Sequence, residues 1–266
     1  IASVIDTYLS LAQKTVTEEE ILSGIRYVEQ QEHISYGASQ KQALMQAMNS
    51  PFFMITGGPG TGKTTLIKGL ITLYSYLYDL DLDDLDQDHI VLAAPTGRAA
   101  KRMRETTGLN AMTIHRLLGM MTDEDENVVW DEEKEITVPL LIVDEWSMVD
   151  TLLAARLFRA LSPETQLIIV GDKDQLPSVG PGQVFSDLLS IQQIPKVELV
   201  DIYRQSEDSS IIDLAHAVNQ GQLPDDFRQK KKDRSFIEVQ ANQIGKAVEQ
   251  VVAHAKHSGF DVSDIQ

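Results

Sequence analysis

Gly57-Gly58-Pro59-Gly60-Thr61-Gly62-Lys63-Thr64-Thr65 follows the pattern G-x-x-x-x-G-K-[ST], a turn built to hold a triphosphate. Its glycines let backbone N–H groups turn inward around phosphate oxygens, and a helix starting where the turn ends adds roughly half a positive charge at its N-terminus. Gly58, Gly60, Thr61, Gly62 and Thr65 are candidate phosphate contacts. Lys63 would reach the β- and γ-phosphates, and the Thr64 hydroxyl would hold Mg²⁺. A second motif, Leu140-Leu141-Ile142-Val143-Asp144-Glu145-Trp146-Ser147, delivers two adjacent carboxylates from an apolar run. Magnesium on a triphosphate needs an anionic partner, which suits Asp144. Hydrolysis needs a group that orients or deprotonates water, which suits Glu145. A third stretch, Gly171-Asp172-Lys173-Asp174-Gln175, reads by itself as a turn. Beside the other two motifs it places the neutral amide of Gln175 where a γ-phosphate or its attacking water could be sensed.

Such groups must be carried by elements that bring them to one edge. Short apolar runs at Phe52–Ile55, Ile90–Ala94, Leu140–Val143, Leu167–Val170 and Val197–Leu199 alternate with segments of helical spacing. This repetition predicts an α/β fold, a parallel sheet with helices on both faces. Ligands bind such sheets beyond the carboxyl ends of the strands, and every motif above falls at a strand end. Residues 1–36 read as a small amphipathic helical segment, with Val16-Thr17-Glu18-Glu19-Glu20 as a capped helix start and no identifiable chemistry.

Composition limits the function classes. The 266 residues suffice for one large or two small domains, and a mean hydropathy of -0.16 fits a globular chain. No apolar run approaches the ~20 residues needed to cross a bilayer, and no secretory signal is visible. The absence of cysteine excludes disulfides, thiolate-zinc sites and thiol catalysis, and suits a cytoplasmic protein. A first residue of Ile rather than Met suggests a piece of a longer chain. The net charge of -17 argues at first against nucleic-acid binding. Yet Asp79–Asp88 holds six acids and Asp123–Glu135 eight, and outside these segments 26 acids face 22 basic residues. A basic cluster at Arg98, Lys101, Arg102 and Arg104 is opposed locally by Glu105, and local sign matters more than the total.

Together with Ala94-Pro95-Thr96-Gly97-Arg98-Ala99-Ala100-Lys101-Arg102, Thr113-Ile114-His115-Arg116-Leu117-Leu118 and Tyr203-Arg204-Gln205, these motifs resemble, over residues 38–205, the RecD/TraA-type superfamily 1 DNA helicases. The resemblance implies a RecA-like ATPase lobe that moves 5′ to 3′ on single-stranded DNA. Its implied partners are single-stranded DNA, duplex junctions and recombination nuclease subunits, and its cofactors ATP and Mg²⁺. It implies that Gln40 reads the adenine edge, that Tyr203 stacks on the base and that Arg204 is an arginine finger on the γ-phosphate. Pro95, Thr96, Arg98, Thr113 and His115 become the DNA-facing residues, against the alternative of His115 as a core histidine. Relatives insert a strand-separating hairpin where residues 119–138 stand, with Val128-Val129-Trp130 and Ile136-Thr137-Val138 as its strands here, although eight acids there would repel DNA. The expected organisation is a helical segment at 1–36, a first RecA-like domain at 37–203 and the start of a truncated second one at 204–266, with a strand near Phe236–Val239. As a fragment the chain should bind nucleotide and unwind nothing. Two rivals stand beside this reading. A GTPase or transporter ATPase lacks support, because no Asn-Lys-x-Asp or Leu-Ser-Gly-Gly-Gln signature is present. A non-catalytic DNA-binding or scaffold subunit would keep the fold without turnover.

Overall fold

The structure is a computed structural model that describes residues 1–11, 16–81, 89–122, 128–129, 134–201 and 209–261. It divides into two units, residues 1–204 and 205–266. Two helices, α1 (Ala2–Ser10) and α2 (Glu18–Gln31), precede the α/β body. The start of α2 is the expected capping box: Thr17 Oγ1 accepts from Glu20 N, and Glu20 Oε2 accepts from Thr17 N at 2.9 Å. There follow α3 (Ala38–Asn49), β1 (Phe52–Gly57), α4 (Lys63–Leu77), β2 (Ile90–Ala94), α5 (Gly97–Thr107), β3 (Ala111–Thr113) and α6 (Ile114–Leu117). The antiparallel pair β4 (Met121–Thr122) and β5 (Val128–Val129) comes next. The first unit ends with β6 (Leu140–Val143), α7 (Thr151–Ala160), β7 (Gln166–Gly171), α8 (Val184–Ser190) and β8 (Lys196–Leu199).

Six strands form one parallel sheet in the order β3-β2-β6-β7-β1-β8. The four central strands are buried on both faces, which is why they read as unbroken apolar runs. Alternate residues feed two cores. Phe52, Met54, Val91, Ala93, Leu141, Val143, Leu167 and Ile169 pack with residues of α1, α6, α7 and α8. Phe53, Ile55, Ile90, Leu92, Leu140, Ile142, Ile168 and Val170 pack with residues of α2, α3, α4 and α5. The N-terminal segment is therefore part of the core: Tyr8 meets Phe52 edge-on at 6.4 Å and donates to Ser162 O at 2.9 Å. Burial pushes its phenol up to about 12.

Two strand expectations differ from the structure. Ile136 makes an isolated parallel bridge to Leu161, so residues 136–138 are not the second arm of a hairpin; β5 instead pairs with Met121–Thr122. Trp130 lies outside the described residues. In the second unit, α9 (Ser210–Asn219) and α10 (Ile244–His257) form, but Phe236–Val239 pairs with no strand among the described residues. An apolar segment without a partner to share its backbone hydrogen bonds has no reason to settle as a strand.

Candidate nucleotide site

The turn after β1 is shaped by glycine. Gly60 and Gly62 have φ of 78° and 77°, the left-handed region that costs a side chain roughly 1–2 kcal/mol. Thr61 Oγ1 closes the turn by donating to Gly58 O at 2.8 Å. Helix α4 then starts with no side chain capping it and no acid in its first turn, so its leading N–H groups face the turn as anion donors. Lys63 Nζ folds back to donate to Gly57 O at 2.5 Å and Gly58 O at 3.0 Å, with Asp172 Oδ2 3.9 Å away. Its ammonium is held by neutral carbonyls that a phosphate oxygen would outcompete. Gln40, in the first turn of α3 and 2% exposed, braces the turn from behind. Its Nε2 donates to Thr61 O at 3.3 Å and its Oε1 accepts from Gly37 N at 3.2 Å. One N–H and one acceptor lone pair of this amide remain.

Because β6, β7 and β1 are successive neighbours, their C-terminal ends lie side by side, with β6 two strand spacings, about 10 Å, from the turn. Asp144 leaves β6 with its N–H donated to Ala93 O, and its Oδ1 accepts from Glu145 N at 2.8 Å. Burial pushes the Asp144 carboxyl up to about 6. The Glu145 N–H opposes this rise, the Glu145 charge adds to it, and the Lys63 and Arg102 cations oppose it. A cation bound beside it would offset that burial cost and draw the group to its ionised form. Glu145 has φ 54°, a left-handed conformation that a non-glycine residue keeps only where its surroundings impose it. Gln175 is exposed, and Ser147 Oγ donates to its Oε1 at 2.8 Å. That bond fixes the amide so that Nε2 is free to donate outward.

Sequence reasoning missed four residues here. Asp172, 4% exposed, faces Lys63; Ser147 orients Gln175; and Asp201 Oδ2 accepts from both Ser39 N (3.1 Å) and Ser39 Oγ (2.7 Å). The last pair ties the exit of β8 to the N-terminus of α3, where an acid is favoured. Asp172 had a signal, standing first after an apolar strand; Ser39, Ser147 and Asp201 had none.

The five residues expected to face DNA lie on the other side of β6, at the ends of β2 and β3. Thr96 Oγ1 accepts from Ala99 N and Thr113 Oγ1 from Arg116 N, so each hydroxyl caps the helix that follows it and keeps its own proton to donate. Pro95 is half-buried beside Thr96, whereas Arg98 and His115 are exposed. Exposure removes the reading of His115 as a core histidine. Tyr203 and Arg204 lie outside the described residues.

Residues 40–181 match the AAA domain family. The RecBCD enzyme subunit RecD of Mycolicibacterium smegmatis is 38% identical over 166 residues, covering 56% of this chain and 30% of that protein. The ATP-dependent RecD2 DNA helicase of Deinococcus radiodurans is 37% identical over 190 residues, covering 71% and 25%. This chain thus spans between a quarter and a third of the length of these relatives. Among solved structures, the Pif1 helicase from Candida albicans superposes with a TM-score of 0.55 at 22% identity, covering 83% of this chain and 55% of that one, and shares the fold. No described helix is long and apolar enough to cross a membrane. The family's match opens at the glutamine that braces the turn and closes just beyond Gln175, so site and match occupy one stretch, and the chain belongs to the AAA domain family.

Proposed function

We propose that this chain is the ATP-binding motor lobe of a RecD-like DNA helicase, coupling ATP hydrolysis to 5′ to 3′ movement on single-stranded DNA and to duplex unwinding in repair or recombination. The observation that carries the reading is the strand order: the glycine turn with Lys63 follows β1 and the Asp144-Glu145 pair follows β6, two strands away in one parallel sheet, so both stand at the same edge. The relative named an ATP-dependent RecD2 DNA helicase supports the substrate class, and those named RecBCD enzyme subunits support partner subunits of an enzyme.

In this mechanism the turn's N–H groups and Lys63 hold the β- and γ-phosphates, and Gln40 keeps the turn in shape while its remaining donor and acceptor face adenine. Thr64 and Asp144 would hold Mg²⁺, which when bound neutralises phosphate charge. Glu145 takes a proton from water as the water oxygen bonds to the γ-phosphorus. The bond to the β–γ bridging oxygen breaks, and ADP leaves with that electron pair. Gln175, its oxygen held by Ser147, donates Nε2–H to the γ-phosphate. Tyr203 stacks on the base and Arg204 acts as an arginine finger, a role worth about 10³–10⁵ in rate. Pro95, Thr96, Arg98, Thr113 and His115 grip phosphate and sugar without reading sequence.

Titration with ATP and GTP, followed by ATPase assays of the parent protein with and without single-stranded DNA, tests the reading. Preference for ATP, DNA-stimulated turnover, and loss of turnover with retained binding in Glu145→Gln are expected. A clear GTP preference would sink it, and ATP binding without turnover would favour a scaffold subunit. Residues 1–266 alone should bind nucleotide weakly and separate no strands; robust unwinding by them, abolished by Lys63→Ala, would overturn that expectation.

A further inference from the structure

A cavity of about 480 Å³ opens at the free edge of the sheet, beside β3, away from the nucleotide turn. Arg104 from the last turn of α5, Arg116 from α6 and Lys134 from the segment before β6 line it, together with Asn110 and Thr137. Glu135 is the one carboxylate lining it among the described residues, and the seven acids at 123–126 and 131–133 that precede Lys134 lie outside them. All three cations are exposed, and none has an ion-pair partner among the described residues. Three cations from three elements thus line one cavity beside a single described carboxylate, a local excess of positive charge in a chain of net charge -17.

We infer that this cavity is a single-strand phosphodiester site, continuing the strand's path from the ends of β2 and β3 around the edge of the sheet. The inference rests on the helicase reading above. Two observations favour a polymer over a free small anion. The volume is several times that of a phosphate and falls in the ~300–1,000 Å³ range of ligand sites, room for a sugar and base as well. Further cations lie on α5 beside Arg104, of which Lys101 is paired with Glu105. Arg98, Lys101 and Arg102 share the outer face of α5 by their three- and four-residue spacing, Arg104 turns from it toward β3, and Arg116 directly follows His115. Cations strung along a path rather than closed around a point suit a chain of phosphates, each neutralised with release of a counterion.

The test is a titration of the chain with fluorescein-labelled oligo(dT) at several salt concentrations, for the wild type and for Arg104→Gln/Lys134→Gln. The variant should bind about tenfold more weakly at low salt. The slope of log K against log salt should shrink by about 0.7 for each phosphate that the variant no longer neutralises, with nucleotide affinity unchanged. Equal affinity and slope in the two proteins would overturn the inference while leaving the helicase reading intact. Wild-type protein that binds no oligonucleotide at any salt would instead count against the helicase reading itself. Should the variant fail to fold, photocrosslinking of wild type with 4-thiothymidine oligonucleotide decides. Adducts at residues 104–112, 116 or 134–138 support the site, and adducts confined elsewhere, including Thr113 and His115, refute it.

Discussion

Burial makes the Asp144 carboxyl costly to ionise. Its pKa stands near 6 in the folded chain against 3.8 for the free side chain, chiefly because burial disfavours the charge. Folding therefore draws protons toward this group. The resulting stabilisation is complete below about pH 3.8 and is lost as pH rises through about 6, after which the ionised carboxylate costs up to about 3 kcal/mol. Asp144→Asn keeps an oxygen to accept from Glu145 N and removes the charge. Urea unfolding should find the variant more stable by about 1–3 kcal/mol near pH 8, with the gain gone near pH 4. A gain independent of pH would show that the buried charge is not its source.

The elements were legible where burial on both faces wrote a continuous apolar run, as in β1, β2, β6 and β7, and where a cap left its signature, as at Thr17. They were illegible where the element exists only by virtue of its neighbour. Ala111-Met112-Thr113 carries no pattern and becomes β3 because β2 offers it an edge; Phe236–Val239 is an apolar segment and has no edge to join among the described residues. The site divides likewise. Its turns announced Lys63, Asp144, Glu145 and Gln175, but pairings such as Ser39 with Asp201 join residues 162 apart in the chain and depend on strand order. The packing of α4 against the entry to α3 is another such pairing. A Cβ on Gly69 would lie 2.0 Å from the Tyr36 hydroxyl and 2.7 Å from its Cζ, and that buried hydroxyl has no hydrogen-bond partner among the described residues. Gly69→Ala should destabilise by about 1–3 kcal/mol. Tyr36→Phe should be neutral or stabilising by about 1 kcal/mol, since it removes an unpaired buried group. Combined with Gly69→Ala, it should recover part of the loss, so a double-mutant cycle with strictly additive effects would contradict the close approach of these two residues.

At the scale of the whole chain, the two units differ in what holds them. Every residue buried in either apolar core lies in the first unit, the last being Leu199, and no described residue of the second is buried. Ile244, Val248 and Val251, which share one face of α10 at helical spacing, are all at least half exposed. A helix of 14 residues with its apolar face in water lacks the tertiary packing that sustains most protein helices, and isolated helices of that length are marginal. Local ion pairs do little to offset this, because Lys231 with Asp226 and Arg234 with Asp226 are exposed or partly so, and such pairs contribute about 0–1 kcal/mol. The stability of the molecule should therefore reside in residues 1–204. Ending the chain at residue 204 should leave its urea midpoint within the change expected for less than about 1 kcal/mol, while hydrogen exchange in the full chain protects β1, β6 and β7 strongly and α9 and α10 weakly. Protection of α10 as strong as that of β1 would mean that its apolar face is covered in solution and that the second unit shares in the global unfolding of the first.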